Sequence, residues 1–77
     1  MNVFEERGII TLDLHGVRHH EVYEITHDFV LRNQDKLPLI IICGNSMRMI
    51  DLVCECCKDQ DFQYSQPRFG IVRVERI

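Results

Sequence analysis

Five apolar residues run unbroken from Leu39 to Cys43, between Pro38 and the turn Gly44-Asn45-Ser46. A run this short, apolar at odd and even positions alike, suits a strand buried on both faces or nearly so. Such a strand needs neighbours on either side, so the run sets the centre of a sheet. The chain has 77 residues, enough for one small domain. Hydrophobic residues make up 45% of it, which suits a folded core and argues against a disordered chain.

The flanking segments supply those neighbours. From Ile10 the upstream stretch alternates, with Ile10, Leu12 and Leu14 on one side and Thr11, Asp13 and His15 on the other. Period two marks a half-buried strand, and Gly16 ends it. Residues 1–8 read as a loose lead-in, leaving 9–77 as the domain. Residues 18–34 read as a helix with Val22, Ile25, Phe29 and Val30 on one face, stopped before Pro38. After the central run, Asn45 or Ser46 is a good N-cap for a helix over Met47–Lys58. Its inner stripe is Ile50, Val53, Cys54 and Cys57. Phe62-Gln63-Tyr64 reads as a short strand, Ser65-Gln66-Pro67-Arg68 as a turn and Phe69–Ile77 as the last strand.

The order is therefore βαβαββ. Strand, helix and strand imply a parallel pair joined by a right-handed crossover. The polar side of the first strand argues against helices on both faces, so both crossovers are expected on one face. The antiparallel last strand then slips between the second and third. The expected fold class is an α/β (α+β) two-layer sandwich: a mixed four-stranded sheet, two helices on one face, and Asp13 and His15 on or near the open face.

Charge limits the partners. The formal net charge of −3 argues against coating nucleic acid by bulk charge. The charge is uneven, however. Residues 1–35 hold three basic and seven acidic residues, and residues 36–77 hold six basic and five acidic. A polyanion surface is expected to draw on the second half. No segment approaches the ~18 apolar residues of a membrane span, and the N-terminus lacks a signal peptide's basic start. A cytoplasmic location without a membrane partner follows as the expectation. Cys54 and Cys57 have the spacing of half a zinc knuckle, but the second pair is missing. With Cys43 and Cys56 they read as reduced thiols packed in the core. No metal site and no cofactor is expected, and dependence on a divalent metal is left open.

Two places carry candidate chemistry. Asp13 and His15 leave the same face of a strand, at the end where open α/β sheets place ligands. A carboxylate there orients an imidazole or its backbone, and the imidazole transfers protons near neutral pH. Gly44, Asn45 and Ser46 open a helix whose free amides favour an anion. Arg48 in the first turn makes sense beside a bound anion. The two places are expected to adjoin, because their strands are neighbours. Arg73 shares a face with Glu75 opposite Val72 and Val74, and Arg68 adds charge at the hairpin. His19, His20 and His27 read as surface histidines.

These residues resemble the Smr (small MutS-related) domain family over roughly residues 9–77. Leu12-Asp13-Leu14-His15-Gly16 is intact as that family's most specific motif. Of its second motif, Thr or His followed by Gly-x-Gly, only Gly44 matches; Cys43 and Ser46 differ. The closing Phe69-Gly70-Ile71-Val72-Arg73-Val74 is similar to the family's last strand. The resemblance implies a fold like the C-terminal domain of bacterial translation initiation factor three. It also implies nucleic-acid binding, and in some members nicking of DNA or cleavage of RNA as an endonuclease. Carried across, those activities fall on Asp13, His15 and Gly44. Two alternatives stay open: a binding module without catalysis, and a protein-interaction module, with a protein partner or a homodimer.

Overall fold

The computed structural model describes Met1–Ile77 in full. It has five strands and two helices: β1 Asn2–Glu6, β2 Ile9–Asp13, α1 His19–Arg32, β3 Leu39–Ile42, α2 Met47–Asp59, β4 Gln63–Arg68 and β5 Ile71–Arg76. A single 3-10 turn, Gln34–Lys36, links α1 towards β3. No helix is long and apolar enough to cross a membrane.

The sheet order is β1-β2-β3-β5-β4. β2 and β3 are parallel, and every other pairing is antiparallel. The last strand therefore does insert beside the central one. The expected four strands are corrected to five, because residues 2–6 form an edge strand rather than a lead-in. Arg7 and Gly8 turn the chain back with φ of 52° and 82°, and Glu6 then faces Ile9. Two successive positive φ values give the tight hairpin turn whose twist matches that of the strands.

One hydrophobic cluster holds the fold. Leu12, Leu39, Ile41, Val72 and Val74 from the sheet meet Val22, Phe29, Val30, Ile50 and Val53 from the helices. Both helices therefore cover the same sheet face. On α1, Thr26 is wholly buried and Ile25 only partly, so the inner stripe is rotated slightly from the expected one. On α2 the buried face is broader than expected and takes in Met49, Leu52 and Cys56 as well. All four cysteines are buried free thiols. Burial pushes Cys43 and Cys57 up to about 12 and Cys56 up to about 11.

The opposite sheet face carries no helix, yet it is not bare. Thr11 is buried there between its partners Phe4 and Ile40. Ile40 and Ile42 are half-buried, so the central strand is closed on one face and only partly covered on the other. The expected turn at 65–68 is also corrected. Those residues belong to β4, whose register with β5 shifts between Ser65 and Arg68. Pro67 is tolerated because β4 is an edge strand, where a missing amide donor breaks no central ladder. The turn is Phe69-Gly70, with Gly70 at φ 85°.

Candidate functional site

The chain leaves β2 through two nested turns. Asp13 ends the strand, and its Oδ1 accepts the backbone N–H of His15 at 2.9 Å. Val17 N–H then donates to the Leu14 carbonyl at 3.0 Å, closing a four-residue turn. Gly16 occupies the third position with φ 82°, a value that turn geometry demands and side chains resist. The motif thus divides by physical task. Leu12 and Leu14 enter the core, Asp13 and Gly16 shape the loop, and His15 is left exposed with its imidazole free. Of the two roles expected for Asp13, orienting the backbone is the one observed.

The neighbouring strand ends in a second turn at the same edge. Leu14 N–H donates to the Ile42 carbonyl at 3.0 Å, which carries the parallel pairing up to the loop. Gly44 follows at φ 74°. Ser46 caps α2, accepting the Met49 N–H on its hydroxyl at 3.1 Å. Gly70 locks this turn from the other side. A Cβ on Gly70 would lie 2.5 Å from the Gly44 carbonyl oxygen, and Cys43 N–H donates to the Gly70 carbonyl at 2.7 Å.

These turns enclose a cleft of about 380 Å³ lined by Asp13, His15, Gly44, Asn45 and Ser46, with Ile42, Cys43 and Met49 among its walls. The structure therefore brings together five of the eight sequence-derived site residues. The three arginines lie outside it. Arg48 is exposed in the first turn of α2. Arg73 lies on the open sheet face, 3.8 Å from Glu75. Arg68 lines a second hollow, also about 380 Å³, on that open face. Ile9, Thr11, Ile40, Ile42 and Ile71 floor it, and Glu6 and Arg7 stand beside Arg68 at its rim. Ile42 is common to the linings of both hollows.

Arg7 was not among the expected site residues, because its segment carried no strand signal. Neither was Phe69, which is 63% exposed beside Gly70. Arg7, Arg48 and Arg68 have no carboxylate within ion-pairing distance; the ion pairs are Arg32–Asp28 and Arg73–Glu75. His19 and His20 are exposed, and His27 packs at a tilt on Phe62 with ring centres 6.2 Å apart. No group of three or more His, Cys, Asp or Glu side chains is arranged to hold a metal ion.

Compared with known proteins, the chain matches no family model, no curated protein and no solved structure.

Proposed function

We propose that this chain is a nucleic-acid-binding domain of the Smr type, engaging phosphates at the cleft between the His15 and Gly44 turns. One observation carries the proposal: Gly44, far in sequence from Asp13 and His15, lines one cleft with them at the C-terminal ends of adjacent parallel strands. Ligands of open α/β sheets bind at such ends. The α2 amides and dipole favour an anion there, and Arg48, free of any ion pair, adds positive charge in the first turn of α2, outside the cleft lining. The β2-α1-β3-α2-β4-β5 core, with both helices on one face, supports the resemblance to Smr domains and to the C-terminal domain of translation initiation factor three. β1 is an addition to that core.

Cleavage of phosphodiesters is the second reading, and the exposed, unengaged imidazole of His15 in the cleft favours it. His15 is then the general acid or base, while Asp13 holds the loop through the His15 amide. The two readings separate in a paired assay. Wild-type and His15→Ala proteins are titrated against labelled DNA and RNA across a salt series, and incubated with supercoiled plasmid and RNA. Binding that weakens with salt, with no product, supports binding alone. Product from wild type and none from His15→Ala supports cleavage. No binding to either nucleic acid at low salt contradicts both and leaves a protein-interaction module.

A further inference from the structure

The β4–β5 hairpin tip places an aromatic ring where it contributes little to the core. Phe69 is 63% exposed, between Arg68 and Gly70. The tip is not a free loop. The Gly70 backbone lies against the Gly44 carbonyl and bonds Cys43, so Phe69 is held next to the turn that closes the cleft. On the other side of the tip, Arg68 faces Ile71 across the ladder, and Ile71 faces Ile42. That row runs across the open groove to Asp13, which pairs with Ile42 on its far side and lines the cleft. An exposed ring beside Arg68 at the hairpin tip, the apolar floor of the groove and the cleft edge at Asp13 therefore succeed one another across the sheet, with Arg7 at the groove's opposite rim.

We infer that this path takes an unpaired strand: Phe69 stacks on a nucleobase beside the cleft, the groove receives its apolar faces, and Arg7 and Arg68 follow its phosphates. The protein then selects single-stranded over duplex nucleic acid. The inference rests on the nucleic-acid reading of the cleft and adds the class of strand. Charge complementarity decides the occupant. Arg7 and Arg68 outnumber Glu6 at the groove rim, and neither arginine has a carboxylate within ion-pairing distance. An aromatic face stacks on any unpaired base, whereas a duplex keeps its bases within the helix.

The chain contains no tryptophan, so Phe69→Trp places a single tryptophan, excited selectively over the two tyrosines, at the proposed stacking point. Phe69→Trp is titrated with a short single-stranded oligonucleotide and with the duplex of the same sequence. Emission is expected to be quenched by the single strand and little changed by the duplex. Phe69→Ala is expected to weaken single-strand binding by roughly 5- to 100-fold, with the urea midpoint and duplex binding unchanged. If wild type binds the single strand while Phe69→Ala binds equally well and Phe69→Trp is not quenched, the stacking role is overturned and the cleft reading survives. If Phe69→Ala weakens both strands alike, the selectivity is overturned. If wild type binds no nucleic acid at low salt, the cleft reading falls and this inference falls with it.

Discussion

Replacing Gly70 with alanine is expected to damage the fold and the cleft together. Gly70 has φ 85°, in the left-handed region, and its hydrogen stands where a Cβ would meet the Gly44 carbonyl oxygen at 2.5 Å. A left-handed alanine costs about 1–2 kcal/mol. Restricting the unfolded chain returns about 0.4–1 kcal/mol of that. The contact adds more, because both partners are backbone and the Gly44 turn cannot rotate away as a side chain would. Overpacking of this kind typically costs about 1–3 kcal/mol. The expected loss is about 3 kcal/mol, a large part of the roughly 4–12 kcal/mol available to a domain of this size. It corresponds to a fall in Tm of more than about 10 °C. Gly16→Ala is the matched control: its φ is 82°, and an added Cβ meets nothing within 4 Å. Urea unfolding of both variants isolates the contact from the backbone strain. Equal losses in the two would refute the claim that Gly70 braces the Gly44 turn.

Other outcomes follow from buried groups. Thr26 is wholly enclosed and its hydroxyl has no partner, so Thr26→Val is expected to stabilise the protein by about 1 kcal/mol in urea unfolding, while Thr26→Ser is not. Because burial raises Cys43, Cys56 and Cys57 above their ordinary 9.0, to about 12, 11 and 12, the folded state keeps thiol protons that the unfolded chain loses. Stability should be full below pH 9.0 and fall as pH climbs towards 12, each thiol contributing about 1.4 kcal/mol per pH unit while only the unfolded form ionises; a flat urea-midpoint profile over that window contradicts this burial. Asp13→Ala removes the acceptor of the His15 amide and is expected to lose about 1–2 kcal/mol, whereas Asp13→Asn keeps an acceptor oxygen and loses less.

Whatever burial imprints on the sequence was readable, and edge geometry was not. Leu12 and Leu14 against Asp13 and His15, and the unbroken Leu39–Cys43 run, state which faces enter the core. From those two strands alone the parallel pair, the single helical layer and the inserted last strand follow. β1 left no such mark. Val3 is half-exposed, Glu5 shares its sheet face, and only Phe4 is appreciably covered, so no alternation marks the strand. The second half of β4, Ser65–Arg68, was hidden behind Pro67, which suggests a turn but sits on an edge with shifted register. The site followed the same division. The motif residues lie at or just beyond the ends of regular elements, so their convergence was predictable from strand order. Arg7 reaches the open groove, and Phe69 the tip beside the Gly44 turn, only through two hairpins whose turns the sequence marked weakly. The task of Asp13 also required coordinates, since a carboxylate two residues before an imidazole bonds either its ring or its amide.

The cleft itself is best tested by nuclear magnetic resonance on isotope-labelled wild-type protein titrated with a short single-stranded oligonucleotide. The amide signals expected to move are those of Leu14–Gly16, Gly44–Met47 and Phe69–Gly70, with the outer faces of α1 and α2 unchanged. Signals that stay still at the His15 and Gly44 turns, or shifts confined to the helices, would contradict nucleic-acid binding at this cleft.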